Sequence, residues 1–275
     1  MAKFYILHSA LTPPRWRGGA GIVRQPTADY SDIPSLLSKI PANMFPVYII
    51  IVAAGSGSRF GSDIPKQFCL MGGRPVVMHT IDNLRRARPG AELILVISPS
   101  EEERWRTLCL EYGFESPRTV NGGKTRWESV KNGLSAIPAD ASPQSAVLIH
   151  DGARPLVDAA TVSRVCGATI NTDGAIPAVP VSDSLRRLDE DGVRSEPVDR
   201  AAFRAVQTPQ GFTLWRLRQA YSLPYQESFT DDASVMAEAG FENITLVAGN
   251  PDNIKITNPR DILIAEAIMS ADAEA

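Results

Sequence analysis

The chain has little cysteine, little net charge and no long apolar run, and each shortage excludes a class of protein. Its three cysteines are odd in number and widely separated, without metal-site spacing, which indicates buried thiols in a reducing compartment and predicts a cytoplasmic protein. A net charge of -3 over 275 residues gives no overall attraction for nucleic acid or for an anionic membrane. The longest apolar run, residues 47–54, is too short to span a bilayer. Any site for an anionic ligand must therefore be local.

The amino-terminal segment differs from the rest of the chain in its prolines and glycines. These residues interrupt every hydrophobic period before Met44, so residues 1–43 are predicted to be a disordered extension outside the fold. No apolar signal core with a cleavage site is evident, and an organelle transit peptide or a start at Met44 stay as alternatives. Residues 44–275 are predicted to form one domain, because a chain of this length that is 44% hydrophobic can bury a substantial core.

From Met44 onward, hydrophobic patterns typical of strands and of helices alternate along the chain. The predicted strands are residues 47–53, 92–97, 146–150 and 175–181, and the predicted helices between them are residues 75–86, 126–137 and 160–170. This order predicts an α/β fold with a doubly wound, mostly parallel sheet, in which ligands bind at the carboxyl ends of the strands.

The alternation ends after residue 181. An acidic turn there joins two short strand patterns and predicts a β-hairpin that projects from the sheet; we call residues 182–200, which contain it, the arm. Thr230 is the predicted N-cap of a later helix, and Pro259 fits the first position of the last one. The predicted elements of this part are hairpin strands at 185–188 and 193–198, helices at 214–221, 231–239 and 259–269, and a strand at 244–247.

A glycine-rich loop follows the first predicted strand and is accompanied by two cations. Backbone amides of such a loop can surround phosphate, and Arg59 and Lys66 suit a nucleoside triphosphate held from both ends. The spacing from Gly57 to Gly61 is one residue too long for the dinucleotide fingerprint, and the loop lacks the Gly-Lys-Ser/Thr ending of a Walker loop. The sequence therefore predicts a nucleotide-binding loop, with a plain strand-to-helix turn as the alternative.

Charged residues also follow the predicted strand at residues 146–150. Asp151 and Arg154 come directly after it, at the edge of the sheet where ligands collect. An aspartate there can hold a hydrated magnesium ion that bridges phosphates. The alternative is an ion pair between these two residues at the surface. His150 is predicted to be a packed histidine rather than a catalytic base.

Short motifs of spaced polar residues and glycines cover nearly all of the chain after Met44. They are Ala53-Ala54-Gly55-Ser-Gly57-Ser-Arg59, Pro65-Lys66-Gln67, Gly122-Gly123 with Arg126 and Ser129, His150-Asp151-Gly-Ala-Arg154-Pro155, Val198-Asp199-Arg200, Thr208-Pro209-Gln210 and Asp252-Asn253-Ile254-Lys255. In content and order these motifs resemble the 2-C-methyl-D-erythritol 4-phosphate cytidylyltransferase family of the non-mevalonate isoprenoid pathway. Chance agreement across so many spaced motifs is implausible.

The resemblance implies a nucleotidyltransferase fold in which the phosphate of an acceptor attacks the α-phosphorus of CTP and pyrophosphate leaves, with Mg²⁺ as the cofactor. The residues that it implies for binding CTP are Ala53, Ala54, Gly55, Gly57, Gly123, Ser129 and Asp151. The catalytic cations that it implies are Arg59, Lys66 and Lys255, and the acceptor-binding residues are Asp151, Arg154, Ser184, Arg200, Thr208 and Lys255. Asp151 is also the candidate metal ligand.

The resemblance further implies a homodimer in which each arm reaches the neighbouring active site, so that Ser184 and Arg200 act in trans. Ser184 stands where family members often have threonine, and it keeps the hydroxyl. The alternatives are a ribitol-5-phosphate cytidylyltransferase, a regulatory nucleotide-binding module and an NAD-linked oxidoreductase, the last disfavoured by the glycine spacing. Ala53-Ala54-Gly55 favours the methylerythritol acceptor, because the ribitol enzymes more often resemble Ala-Gly-Gly there. No nucleic acid or membrane partner is expected.

Overall fold

A computed structural model describes residues 46–55, Phe60 and residues 64–274. The predicted extension at residues 1–43 lies outside the described residues, as do Gly57 and Arg59 of the glycine-rich loop. Within the described ranges, no helix combines the length and the hydropathy that crossing a bilayer requires.

All cysteines of the chain are free thiols, as predicted, but they are not equally buried. Cys166 is buried, whereas Cys69 and Cys109 are half-buried. The prediction of buried thiols is therefore confirmed for one residue and is too strong for the other two.

The strands form one main sheet and two small ones. In chain order they are β1 (Val47–Ala53), β2 (Leu70–Met71), β3 (Arg74–Pro75), β4 (Glu92–Ile97), β5 (Arg118–Asn121), β6 (Ala146–Asp151), β7 (Gly174–Pro180), β8 (Leu185–Leu188), β9 (Ser195–Val198), β10 (Arg204–Val206), β11 (Gln210–Thr213) and β12 (Ile244–Ala248). The main sheet has the order β10-β7-β11-β6-β1-β4-β5, and β12 pairs with β7. The adjacent strands β6, β1, β4 and β5 are parallel, whereas β10 and β11 are antiparallel to their neighbours. The predicted α/β class is confirmed.

The middle of this sheet is apolar because β1 is paired on both edges and covered on both faces. Successive β1 side chains point to opposite faces, so Ile49 belongs to one core cluster and Ile50 to the other. The parallel register of β1 and β6 places Val52 opposite Asp151. The glycine-rich loop and Asp151 therefore leave the sheet side by side.

Helices pack on both faces of the sheet. They are α1 (Val76–Ala87), α2 (Glu102–Glu111), α3 (Arg126–Ser135), α4 (Ala159–Thr169), α5 (Leu214–Ala220), α6 (Asp232–Glu238) and α7 (Pro259–Glu274). One face is covered by α1, α2 and α4, and the other by α3, α5 and α6. A small third cluster joins α7 to Phe60, Met71 and Ile256 beside the glycine-rich loop. This two-sided covering is the arrangement that a doubly wound fold requires.

Several local predictions need correction. The N-cap of α6 is Asp231 and not Thr230, because the Asp231 carboxylate accepts a hydrogen bond from the amide of Ser234 at 2.9 Å. The last helix continues to Glu274, beyond the predicted end at residue 269. The sequence patterns also missed α2, β5, β10 and β11.

The arm contains the predicted hairpin. β8 and β9 pair in antiparallel fashion as a separate two-stranded sheet. The second strand starts later than predicted, at Ser195, because the carboxylate of Asp189 accepts hydrogen bonds from the amides of Val193 and Arg194 within the turn. Gly192 in this turn has φ +69°, a conformation that favours glycine.

Candidate active site

An open cavity of about 480 Å³ lies at the carboxyl ends of β1 and β6. The predicted site residues that line it are Ala53, Ala54, Gly55, Lys66, Gly123, Ser129, Asp151 and Lys255. The lining residues without a predicted role include Gln67, Lys124, Thr125, Arg126 and Thr257. Of the described residues, four predicted acceptor contacts do not line the cavity of this chain: Arg154, Ser184, Arg200 and Thr208. The structure therefore brings together those predicted CTP residues that it describes, but leaves part of the acceptor set outside.

One side of the cavity, the glycine-rich wall, consists of residues 53–55 with Lys66 and Gln67. The buried side-chain amide of Gln67 donates hydrogen bonds to the carbonyls of Ala53 at 2.7 Å and Gly55 at 3.0 Å. These bonds fix the chain where the strand becomes the loop. Gln67 belongs to the Pro65-Lys66-Gln67 motif, but its role in fixing the loop was missed because its two partners are 14 and 12 positions away in the sequence.

The other side, the α3 wall, is the Gly122-Gly123 turn with the first residues of α3. The hydroxyl of Ser129 accepts a hydrogen bond from the Gly123 amide at 3.1 Å and donates one to the Thr125 carbonyl at 2.9 Å. A Cβ atom on Gly122 would lie 2.3 Å from the Cβ of Ala54. Glycine at this position is therefore what lets the two walls approach each other.

Asp151 lies within a cluster of cations. Its carboxylate is 2.8 Å from Nζ of Lys255, 3.5 Å from Nε of Arg154 and 3.7 Å from Nε of Arg126. Burial opposes the charged form, but these three cations outweigh burial and hold the pKa of Asp151 well below its ordinary value. Only 8% of the Asp151 surface is exposed, so the alternative of a surface ion pair is wrong.

Arg126 connects the cavity to a buried acid on α6. Its Nη2 lies 2.6 Å from Oδ2 of Asp232, which is fully buried and also accepts a hydrogen bond from the Tyr221 hydroxyl at 2.6 Å. Burial disfavours the charged guanidinium, but Asp232 and Asp151 outweigh it and raise the pKa of Arg126 above its ordinary value. Arg126 therefore adds a permanent positive charge to the α3 wall. The role of Arg126 was missed because its partner Asp232 is 106 positions away in the sequence.

His150 and Thr208 lie behind Asp151 rather than on the cavity surface. His150 is fully buried, and burial lowers its pKa to about 4, which confirms the prediction of a packed histidine. The Thr208 hydroxyl lies 3.0 Å from Nδ1 of His150 and accepts a hydrogen bond from the Asp151 amide at 3.1 Å. This hydroxyl is thus engaged by protein groups, although the resemblance implied contact with the acceptor.

The remaining predicted acceptor residues are anchored elsewhere. Nη1 of Arg154 donates to the Asn253 carbonyl at 2.7 Å. Ser184 and Arg200 are exposed on the arm, and the Arg200 guanidinium donates to the Ser182 carbonyl within it. One chain alone therefore presents Lys255 and Asp151 to the cavity without the arm residues.

The donor set at Asp151 also decides whether a metal ion fits. Among the residues that the structure describes, no group of three or more histidine, cysteine, aspartate or glutamate side chains is arranged to hold a metal. Magnesium in nucleotide sites is usually held by one or two carboxylates together with substrate phosphates and water. Asp151 supplies one carboxylate to the cavity. The residues present therefore fit a Mg²⁺ ion that enters with a triphosphate.

Known proteins are similar to this chain in sequence and in fold. The family model for 2-C-methyl-D-erythritol 4-phosphate cytidylyltransferase (IspD) matches residues 47–271. Proteins of that name from Porphyromonas gingivalis and Bacteroides thetaiotaomicron are 42% and 41% identical, over 82% and 80% of this chain and 98% of each relative. The crystal structure of 4-diphosphocytidyl-2C-methyl-D-erythritol synthase from Anaerococcus prevotii superimposes with a TM-score of 0.68 at 29% identity, covering 82% of this chain and 99% of that one.

Proposed function

Because the chain belongs to the 2-C-methyl-D-erythritol 4-phosphate cytidylyltransferase family, we propose that its cavity transfers a cytidylyl group from CTP to 2-C-methyl-D-erythritol 4-phosphate in isoprenoid precursor synthesis. The observation that carries the proposal is the convergence of two glycine-containing walls with Lys66, Arg126 and Lys255 on one cavity. Backbone groups of such walls suit a nucleoside, and the cations suit its phosphates.

CTP binding is assigned to the two walls. Residues 53–55 and Gly123 line opposite sides of the cavity at a separation that Gly122 permits, and cytosine is small enough to be recognised by backbone groups there. Ser129 contributes by holding the Gly123 amide. Gly57, which follows in the sequence of the same loop, is also assigned to CTP.

The transfer itself needs no covalent intermediate with the protein. A phosphate oxygen of the acceptor forms a bond to the α-phosphorus of CTP, the bond from that phosphorus to the bridging oxygen breaks, and pyrophosphate takes the electron pair. The attacking phosphate is already an anion, so positioning and electrostatic stabilisation can carry the reaction. Lys66 and Arg59 are assigned to the negative charge on the triphosphate oxygens as the α-phosphorus becomes pentacoordinate.

The acceptor is assigned to the cluster around Asp151. Lys255 is partly exposed beside the carboxylate, with 40% of its side chain accessible, and suits the acceptor phosphate. Arg154 adds a second cation behind it. Asp151 holds both cations and offers acceptor oxygens to hydroxyl groups of the substrate.

Asp151 is also the residue proposed to hold Mg²⁺, together with the phosphates of CTP. The ion would neutralise phosphate charge during the transfer. The neighbouring cations hold the pKa of this carboxylate below its ordinary value, so it stays ionised, which is the form that a metal ion requires.

The arm is proposed to complete the site of a second copy of the chain. Ser184 and Arg200 are exposed in one chain, and a two-stranded hairpin gains stability when it packs on a partner. A homodimer in which the arms are exchanged would bring both residues to the neighbouring cavity. The free thiols support the proposal of a reducing, cytoplasmic location.

The proposed function is tested by comparing acceptors. We expect pyrophosphate release from CTP and Mg²⁺ to depend on the acceptor, with kcat/KM higher for methylerythritol phosphate than for ribitol 5-phosphate at saturating CTP. Some activity with ribitol phosphate is expected, because a single methyl or methylene changes binding by only about 1–3 kcal/mol. A preference for ribitol phosphate would overturn the acceptor assignment alone. No release with either acceptor would contradict cytidylyl transfer.

A further inference from the structure

The pairing of β6 with β11 ends at Ile149, two residues before Asp151. Its last pair is Ile149 with Gln210, and the same antiparallel register would place Asp151 opposite Thr208. β11 begins only at Gln210, and the amide of Asp151 instead donates to the Thr208 hydroxyl at 3.1 Å. A side chain therefore takes the place of a backbone acceptor where the active site begins.

His150 sets the direction of this hydrogen bond. Its Nε2 lies 3.2 Å from the carbonyl oxygen of Arg154, and because a carbonyl only accepts, Nε2 carries the proton. The neutral ring then accepts at Nδ1, which is 3.0 Å from the Thr208 hydroxyl. The hydroxyl proton of Thr208 consequently points to His150, and a lone pair points to the Asp151 amide.

These hydrogen bonds link the two ends of the turn from Asp151 to Arg154, which are both proposed acceptor-binding residues. They run from the Asp151 amide through Thr208 and His150 to the Arg154 carbonyl, and the Arg154 amide donates back to the Asp151 carbonyl at 3.0 Å. His150 is fully buried and Thr208 is 5% exposed, so water cannot easily replace either partner. Removing one member leaves a buried polar group unsatisfied, which the turn can relieve only by moving.

We propose that His150 is a positioning residue for cytidylyl transfer, which holds the Arg154 carbonyl directly and the Asp151 amide through Thr208, and thereby places the acceptor phosphate. The inference rests on the proposed function, because His150 gains a role only through these two residues. His150 is fully buried and does not line the cavity. Its effect is therefore on geometry and not on proton transfer.

The test uses matched substitutions at His150 and Thr208. His150→Phe removes both hydrogen bonds of the ring, whereas His150→Asn keeps an acceptor oxygen close to the place of Nδ1. Thr208→Val removes the hydroxyl at constant shape, and Thr208→Ser keeps it. Initial rates of pyrophosphate release give kcat and the KM of each substrate, calorimetry gives CTP affinity, and thermal melts report folding.

We expect His150→Phe and Thr208→Val each to lower kcat/KM for the acceptor by about tenfold to a hundredfold, because small displacements of positioning groups have effects of that size. The loss for the acceptor should exceed any loss in CTP affinity. His150→Asn and Thr208→Ser should recover most of it. The double variant should lose no more than either single variant, since both act through one chain of bonds.

Wild-type kcat/KM in folded His150→Phe would overturn the inference, as would losses that simply multiply in the double variant. If His150→Phe does not fold, Thr208→Val decides, and normal acceptor kinetics in that variant would overturn the inference equally. Asp151→Asn keeps this outcome separate from the proposed function. Full activity of Asp151→Asn contradicts the proposed site, whereas its inactivity beside a fully active His150→Phe contradicts only the role of His150.

Discussion

The cavity walls and the arm both carry predicted site residues, but they are held in place differently. Buried side chains hold the walls: Gln67 fixes the glycine-rich wall, and Ser129 fixes the α3 wall. The arm strands β8 and β9 pair with each other and with no other strand of the described chain. One chain therefore builds the proposed CTP half of the site, whereas the acceptor half includes residues that the chain leaves at its surface.

The surface of the arm has the properties of a segment that lacks its packing partner. Leu188 and Val193 are 63% and 84% exposed. The ion pair between Arg187 and Glu196 is also exposed, and such pairs contribute little to stability. A second copy of the chain would cover these apolar side chains and add contacts that the isolated hairpin lacks.

The greatest loss of turnover is expected when a cation of the glycine-rich wall or of its loop is removed. Lys66→Ala should lower kcat by about a hundredfold or more, the loss typical of one preorganised group that stabilises a transition-state charge. Arg59→Ala should lose a similar factor. Circular dichroism and the melting temperature should stay close to wild type, since Lys66 lines the cavity rather than the core. Lys131→Ala, on α3 outside the cavity, is the matched control and should turn over normally. Full activity of folded Lys66→Ala would contradict the catalytic role assigned to Lys66.

The second prediction concerns the arm and asks whether it acts in trans. Lys66→Ala and Arg200→Ala should each be inactive alone, but mixing them should restore activity after the subunits exchange. Each heterodimer would then contain one site without either substitution. The measurement is pyrophosphate release by verified heterodimers. An absence of recovery would place Arg200 in the site of its own chain or away from any site.

A smaller effect is expected when the two walls are forced apart. Gly122→Ala introduces a Cβ 2.3 Å from that of Ala54 and should weaken CTP binding and lower stability by about 1–3 kcal/mol, the usual cost of overpacking. Gly167→Ala in α4 is the control, because nothing lies within 4 Å of its Cβ, and it should match or exceed wild-type stability. Calorimetry with CTP and urea unfolding measure both. Equal CTP affinity in the two variants would show that the walls are not closely matched.

Acid should destabilise the folded domain through His150. The folded pKa of His150 is about 4, below the ordinary 6.5, so the unfolded chain binds a proton that the folded chain excludes between these values. Stability is therefore fully present above pH 6.5 and should fall as the pH drops toward 4. Melting temperatures across this range provide the measurement. The slope should be smaller in His150→Asn, and an unchanged slope would assign the acid sensitivity to other groups.

The smallest effect is expected from the segment before the domain. Deleting residues 1–43 should leave the melting temperature and turnover nearly unchanged, because their proline and glycine content predicts no packed element. Differential scanning fluorimetry and the pyrophosphate assay test this directly. A large drop in melting temperature would show that the segment stabilises the domain.

Prediction from sequence succeeded where the signal is local and failed where it depends on pairing. β1 was predicted with its observed bounds, because a run of β-branched residues ends in glycines. β11 was missed because its four residues include Gly211 and show no strand pattern. Its place is set by β6 and by the close approach of α4, where a Cβ on Gly211 would lie 2.4 Å from the Thr169 hydroxyl.

The same division applies to the candidate site. The motif that contains Asp151 was visible in the sequence, but the burial of this carboxylate was not, and a surface ion pair was a serious alternative. In the fold, Arg126 and Lys255, which are distant from Asp151 in the sequence, form ion pairs with this buried carboxylate. Thr208 shows the reverse case, since its motif implied substrate contact and the fold engages its hydroxyl behind the cavity.

The alternation of strands and helices, the glycine-rich loop and the hairpin of the arm could be predicted from sequence patterns, because apolar periods, glycines and turn residues act over a few positions. The fold was needed to show which distant groups meet: Gln67 with Ala53, Arg126 with Asp232, and His150 with Thr208. Such contacts exist only after the order of strands brings the carboxyl ends of β1 and β6 together. The physical reason is that hydrogen bonds and ion pairs depend on separation in space, which sheet topology sets and sequence distance does not.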